Sequence, residues 1–315
     1  MSTQLAPPAT LTVSVVICCY TEQRYTLLRE AVDSVLRQTR PADEVIVVVD
    51  HAPSLLRRAR SEFDGRVQVI ANGGRRGLAD ARNAGVRRAT TDVVAFLDDD
   101  AVADDRWLHE LTAAYADPRV IGSGGLVDAA WASQAPRWMP SEFLWVVGCS
   151  YTGLPTIPTA VRNPIGANMS FRRDVLAGEG FRPGVGRIGT VPMGCEETEM
   201  AIRAARRTPG ARVLHLPGAR VRHHVPAERT SWRYFASRCW AEGRSKAIVA
   251  RLAGAERGLS SERDYVRRTL PAAVIRGVGD ALRGDASGLG RAGAVVAGLL
   301  LTGAGYARGR IVRVL

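Results

Sequence analysis

The sequence predicts an α/β fold: a doubly wound, mostly parallel sheet followed by a helical, basic C-terminal extension. Three observations lead there. Four apolar runs of strand length alternate with helical patterns over the first hundred residues. The runs are continuously apolar, as in strands covered on both faces. From Ser231 onward the pattern is helical, and from Ala201 there are 22 Arg or Lys against 7 Asp or Glu.

The first strand is Leu11 to Tyr20 (LTVSVVICCY). A helix follows over Thr26 to Gln38, where Leu27, Leu28, Ala31, Val32, Val35 and Leu36 recur at helical spacing. Asp43 to Asp50 (DEVIVVVD) is the second strand, Leu55 to Phe63 a short helix and Val67 to Ala71 the third strand. Gly77 to Ala89 is a helix, and Val93 to Leu97 is a fourth strand that ends on three aspartates. Strands separated by helices give a parallel sheet, and such sheets bind ligands at the carboxyl ends of their strands. Tyr20, Asp50 and Asp98 to Asp100 all fall there. The middle, Gly122 to Pro192, is rich in Gly, Pro and Trp and reads as irregular. Arg212 to Leu216 and Ala219 to His223 read as two short strands. Pro271 and a glycine-rich patch at 284 to 290 interrupt the basic helical region.

With 315 residues and a formal net charge of +12, the chain has a globular composition that argues against global disorder. Basic surface attracts nucleic acid, anionic headgroups or phosphorylated substrates. The five cysteines, an odd number without a CxxC pair, fit a reducing compartment. Met1 to Thr10 carries no apolar core, so no signal peptide is expected.

The strongest chemical signal is Asp98-Asp99-Asp100. Three adjacent carboxylates are costly unless a cation or a donor array compensates them. In an extended stretch Asp98 and Asp100 point the same way, offering hard oxygen ligands to Mg²⁺ or Mn²⁺ at the surface of the sheet. A helix cap accounts for Asp104 and Asp105, but not for three acids abutting an apolar strand. Glu196 and Glu197 lie in Gly-Cys-Glu-Glu-Thr-Glu at a helix start, where a carboxylate beside a cleft suits a general base; acidic capping is the alternative. The glycine loop from Gly73 leads into a helix bearing Arg82 and presents amides suited to a diphosphate, although it is not a Walker A loop. His223-His224 follows a strand, and either imidazole is placed to complete a metal site with Asp100, an exposed or core-capping pair being the commoner reading. Trp131, Trp138 and Trp145 offer aromatic faces to sugars or belong to the core.

Taken in order, these residues resemble the inverting glycosyltransferases of family 2, which have the GT-A fold. The resemblance spans roughly Leu11 to Lys246. It rests on SVVICCYTE, VVVD, ADARNAG, FLDDDA and GCEETE in sequence order. It implies a nucleotide-sugar site at Tyr20, Glu22, Asp50, Arg82, Asn83, Asp98 and Asp99. It also implies a Mg²⁺ or Mn²⁺ ion on Asp98 and Asp100, Asp100 being the favoured direct ligand; His223 is the further ligand that the residues themselves offer. The base falls on Glu197, where the family typically has Asp, and Glu196 is the other candidate. Cys18-Cys19-Tyr20-Thr21 and Val49-Asp50-His51-Ala52 depart from the usual Pro-Thr-Tyr-Asn and Asp-Asp-Gly-Ser, which bears on base recognition. VRNPIGANMSFRRD, GCEETE and HHVPAERTSWRYFASRCWAEGRSKA resemble a subgroup that includes lipid-linked glucuronosyltransferases. That similarity implies UDP-glucuronate as donor and a polyprenyl-phosphate-linked or other glycan as acceptor. Independently of it, the aromatic face of Trp138 and the charge of Arg238 make these two the expected acceptor residues.

On this reading residues 1–230 form the catalytic domain, its nucleotide half about 11–105 and its acceptor half about 106–230, and residues 231–315 form the basic helical region. A nucleotidyltransferase of similar fold would need a glycine-basic loop after the first strand, and Cys18 to Arg24 is not one. A nucleic-acid-binding role lacks zinc spacing, a basic zipper or an RNA-binding aromatic motif, so no nucleic-acid partner is expected. Ala292 to Ala307 is apolar over 16 residues, short of the roughly 20 needed to span. Arg233, Arg238, Arg244 and Lys246 lie near one another in sequence, and Arg291, Arg308, Arg310 and Arg313 flank the apolar stretch. Together they predict peripheral attachment to the cytoplasmic face of an anionic membrane. Glycines at 293, 298, 303 and 305 weaken the segment as a helix and predict that it orders on docking.

Overall fold

The computed structural model describes residues 11–183, 194–253 and 260–311. Four parallel strands form the first half of the sheet: β1 (Val13–Cys19), β2 (Glu44–Val49), β3 (Gln68–Ala71) and β4 (Val93–Asp98). Each lies within a few residues of the run that predicts it. They stand in the order β3-β2-β1-β4. Alternate residues of each strand enter opposite cores, which is why the runs are apolar throughout. Val15, Ile17, Val47 and Val49 pack on one face against α1 (Tyr25–Leu36) and α2 (Pro53–Glu62). Val16, Ile46, Val48 and Phe96 pack on the other, against α3 (Leu78–Arg88). A Cβ at Gly85 would overlap the Val16 side chain, so this glycine sets the close approach of α3 to the sheet.

The sheet continues where the sequence reads as irregular. After β5 (Ala101–Ala103) and α4 (Trp107–Ala113) comes β6 (Val120–Trp131), then β7 (Thr159–Val161), β8 (Asn168–Arg172), α5 (Arg173–Glu179) and α6 (Glu196–Arg207). β8 runs antiparallel between β4 and β6, so the sheet is mixed, with most strands parallel to β1. The two short strands expected near 212 and 219 are one long strand, β9 (Arg212–Val225). It carries Pro217 and Gly218 through a register shift against β6, between Gly125 and Leu126. A bulge tolerates proline and glycine where a regular ladder would not.

The C-terminal region is a helical layer of α7 (Trp232–Ala253), α8 (Ser260–Asp264), a π-helical turn (Tyr265–Thr269), α9 (Leu270–Leu282) and α10 (Ser287–Ile311). Pro271 stands in the first turn of α9, where its missing N–H costs nothing, rather than breaking a helix. The glycines of α10 divide by face. Gly298 meets the Phe143 ring and Gly305 meets the backbone of Trp240, both too closely for a Cβ, whereas Gly293 and Gly303 face open space. Tight helix packing, not weakness, explains two of the four. Arg276 pairs with the buried Glu142, and the Tyr265 hydroxyl donates to the Glu142 carbonyl at 2.5 Å, tying the layer to the 3₁₀ turn Ser141–Val147.

Candidate active site

The carboxyl ends of β1, β2 and β4 open into a cleft of about 1490 Å³, closed on its far side by the 3₁₀ turn and by α7 to α10. Its position follows from the strand order. Cys18 on β1 stands opposite Asp98 on β4, so the first strand's end and the aspartates share one rim. The chain turns sharply at Asp99 and Asp100 and returns as β5, antiparallel to β9, with Ala101 opposite His223. That register, with the His224 amide donating to the Asp100 carbonyl at 2.8 Å, delivers His223 to the aspartates. His224, one residue on, points to the other face of the strand.

Asp98, Asp100 and His223 offer ligand atoms that all lie within 4.8 Å of one another. Two carboxylates and an imidazole are a suitable donor set for Mn²⁺ or Mg²⁺. Asp98 is partly exposed, whereas Asp100 is buried, contrary to the expected position at the surface of the sheet. Its Oδ1 accepts from His223 Nε2 at 3.1 Å, and its Oδ2 faces Arg24 Nη1 at 2.9 Å and Arg229 Nη2 at 4.0 Å. Burial alone would raise the Asp100 carboxyl, but His223 and Arg24 outweigh it and hold it well below the usual carboxylate range. Burial disfavours the charged form of His223, but Asp100 more than offsets this and pushes His223 up to about 10. Cys149 Sγ, 3.8 Å from His223 Nδ1, packs on the other edge of the ring. Asp99 accepts from Arg24 at 3.1 Å through Oδ1, while its buried Oδ2 has no hydrogen-bond partner among the described residues. Burial and the adjacent Asp100 charge push Asp99 up to about 7.

Arg82 links this group to the second acidic motif. It is buried, with Nη1 3.0 Å from Glu196 Oε1, Nη2 3.5 Å from Asp98 Oδ1, and a bond to the Gly166 carbonyl at 3.0 Å. Phe96 and Phe181 flank the guanidinium. Glu196 is therefore held in an ion pair. Glu197 makes no ion pair among the described residues and lines the cleft half-buried. Burial and the Glu196 charge beside it push Glu197 up to about 8. A carboxylate that needs a proton and lacks a cationic partner has the properties of a base, which distinguishes the two glutamates.

The other expected residues separate clearly. Tyr20 lies exposed on the rim, and Asp50 lines the cleft. Asp50 accepts from Asn72 Nδ2 at 2.7 Å and from the Gly77 amide at 2.9 Å, so one amide expected to face a diphosphate is already engaged. Glu22 is exposed on the 3₁₀ turn after β1, outside the cleft lining. Asn83 also lies outside it: its amide exchanges two hydrogen bonds of 2.8 Å with the backbone of Phe181, bracing α3 against the segment after α5. Trp138 packs edge-on against Trp232 and Phe235, away from the cleft, and Trp131 joins the core; only Trp145 of the three lines the cleft. Arg238 does line it, 3.7 Å from Glu242. Lys246 lies between Glu242 and Glu262, at 3.2 and 2.6 Å. Arg238 and Lys246 thus face the cleft rather than an outer basic surface. Arg291 pairs with Asp280 and Asp285 at 2.9 and 2.8 Å, and Arg313 lies outside the described residues. Sequence reasoning missed Arg24 and Arg229. Arg24 follows the first strand's carboxyl end by a few residues, which is a usable signal; Arg229 gives none.

A model described as glycosyl transferase family 2 matches residues 14–178. The chain is 36% identical over 241 residues to the glucosyl-dolichyl phosphate glucuronosyltransferase of Haloferax volcanii, covering 75% of this chain and 77% of that protein. Among solved structures, the mannosyltransferase PcManGT of Pyrobaculum calidifontis, in complex with GDP-Man and Mn²⁺, superposes with a TM-score of 0.58. It is 21% identical, with 94% of this chain and 88% of that one covered. GalNAc-T7, with UDP, GalNAc and Mn²⁺, superposes with a TM-score of 0.55 at 20% identity, covering 78% of this chain and 50% of its own. At these identities the two structures speak to the fold.

Proposed function

The chain belongs to glycosyltransferase family 2 and is a nucleotide-sugar glycosyltransferase of GT-A fold, and from that premise we propose that it transfers glucuronate from UDP-glucuronate to a lipid-linked sugar, with inversion. The observation that carries the proposal is the 36% relative together with a cleft in which Asp98, Asp100 and His223 converge and Glu197 stands without an ion pair.

The chain's residues divide the work as follows. Tyr20 and Asp50 border the nucleotide at the ends of β1 and β2. Asp98, Asp100 and His223 would hold Mg²⁺ or Mn²⁺, which when bound offsets the charge developing on the leaving diphosphate. His223 Nε2 offers a lone pair to a cation only after losing the proton it shares with Asp100. Arg82 fixes Glu196 and the edge of Asp98, keeping donor and acceptor ends in register. Glu197 takes the proton from the acceptor hydroxyl as that oxygen bonds to the anomeric carbon. The bond to the diphosphate breaks on the opposite face, and the nucleotide leaves with the electron pair. One displacement inverts the anomeric centre.

The acceptor's lipid motivates a second part of the reading: peripheral attachment to an anionic membrane. Helix α10 spans 25 residues, longer than its apolar stretch, and by length and composition is sufficient to cross a bilayer. The face that carries Gly298 and Gly305 is packed into the protein, which favours lying on the surface. Ile275, Leu282, Leu289 and Leu300 are 73, 85, 60 and 67% exposed on α9 and α10, and Arg308 and Arg310 are exposed at the end of α10. Leu299, Thr302 and Tyr306 of the same helix line the cleft, giving a lipid-borne acceptor a short path to Glu197.

A thermal-shift panel of nucleotide sugars with and without Mn²⁺ tests the donor. A rise in Tm for UDP-glucuronate that requires Mn²⁺ is expected, and a response to GDP-mannose alone would overturn the donor assignment.

A further inference from the structure

Arg24 stands where a resident cation and a donor would both be felt. Its Nη1 bridges two carboxylates, 3.1 Å from Asp99 Oδ1 and 2.9 Å from Asp100 Oδ2. The other Asp100 oxygen is taken by His223 Nε2 at 3.1 Å. Both oxygens of Asp100 are therefore engaged, one by a guanidinium and one by an imidazole. A divalent ion held by Asp98, Asp100 and His223 must compete with Arg24 for Asp100.

The arrangement also supplies an exit. Arg24 is the residue before α1, its side chain is 22% exposed, and its guanidinium lies 5.7 Å from the centre of the Tyr20 ring on the cleft rim. A long, partly exposed side chain there reaches solvent without disturbing the sheet. Charge balance says when it leaves. A dication added beside Arg24 places two cations on one carboxylate, which like-charge repulsion opposes. A nucleoside diphosphate brings the missing anions, and a guanidinium pairs with phosphate oxygens in the same forked geometry it uses with carboxylates.

We infer that Arg24 couples metal to nucleotide: it bridges Asp99 and Asp100 in the free enzyme, and passes to the donor's diphosphate when the divalent ion takes Asp100. The inference rests on the proposed metal-dependent donor site. It predicts that Mn²⁺ binds weakly alone and much more tightly with UDP, and that Arg24 is the source of a large part of that difference. Couplings between sites are typically 5- to 150-fold.

The test is Mn²⁺ binding followed by electron paramagnetic resonance, with and without UDP, on the full chain and its R24Q variant. R24Q should bind Mn²⁺ alone about tenfold tighter, and its enhancement by UDP should shrink by about fivefold or more. A purely structural role for Arg24 would weaken Mn²⁺ binding instead. R24Q leaves the buried Asp99 without its cation and takes one of three cationic partners from Asp100, which risks misfolding, so R24K serves as the second variant. A lysine reaches one carboxylate as a point charge, and Mn²⁺ alone should bind several-fold tighter than to the unmodified enzyme. Unchanged Mn²⁺ affinity and unchanged UDP enhancement in a folded variant overturn the inference and leave the donor site standing. If the unmodified enzyme binds neither Mn²⁺ nor UDP, the donor-site reading itself falls, and the inference with it.

Discussion

Replacing Glu197 by Gln removes one proton acceptor and little volume. Burial and the Glu196 charge push Glu197 up to about 8. A raised carboxyl is protonated at neutral pH, and its basic form grows as pH rises. At pH 7 about one molecule in ten then carries the ionised base, and kcat/KM should rise about tenfold per pH unit up to about 8 and level above it. Glu197→Gln should cost about 10²- to 10⁴-fold on the plateau. It should also flatten the acid limb, so that the ratio of the two enzymes shrinks as pH falls. The assay is initial-rate transfer from pH 6 to 9.5 at saturating donor and Mn²⁺, with UDP binding measured in parallel and unchanged. An acid limb that persists in Glu197→Gln assigns the titration to another group. Glu196→Gln should behave differently, because it breaks the 3.0 Å pair with Arg82 and lowers Tm as well as rate. A folded but inactive Glu196→Gln beside an active Glu197→Gln would exchange the two roles.

Other outcomes follow from the packing. Asp100→Asn should abolish transfer and Mn²⁺ binding, and it should also lower stability by about 3–5 kcal/mol, since Arg24, His223 and Arg229 lose their common anion; calorimetry reads both. Trp138→Ala should lower Tm, with a loss of up to about 3 kcal/mol, and leave acceptor KM unchanged, because the ring packs on Trp232 and Phe235. The double variant Leu282→Glu, Leu300→Glu should keep its Tm and lose flotation with anionic vesicles. Unaltered flotation places the membrane contact elsewhere, and resistance of the unmodified protein to high salt and alkaline carbonate means that α10 inserts.

The nucleotide half of the fold is legible because its signals are local. Each of β1 to β4 is a short apolar run beside a helical pattern, and the aspartates stand at the end of the last. β6 and β8 are not legible, since their pairing is fixed by partners distant in sequence. Gly122, Gly124 and Gly125 make β6 look like loop, yet each is where a neighbouring chain passes too closely for a Cβ: the Phe171 ring, Pro164 and the Ala219 carbonyl. His223 was legible as a candidate, but its choice over His224 depends on the β5–β9 register. Asn83 shows the opposite failure. Its place in a family motif suggests ligand contact, while its side chain is occupied by the Phe181 backbone. The place of Trp138 in the Pro-rich middle and of Arg291 beside the apolar stretch suggests ligand and headgroup contacts, while the aromatic cluster and the paired aspartates around them occupy both side chains.

Metal-dependent, inverting transfer from a UDP-sugar in this cleft is decided by analysis of the product. The full chain is incubated with UDP-glucuronate, Mn²⁺ and a polyprenyl-phosphate-linked glucose in vesicles, and the lipid product is examined by mass spectrometry and anomeric NMR. The expected product is a lipid-linked disaccharide whose new linkage is inverted relative to the donor, lost on chelation and absent with Glu197→Gln. A product with retained configuration, or one formed equally well in chelator, would contradict that expectation.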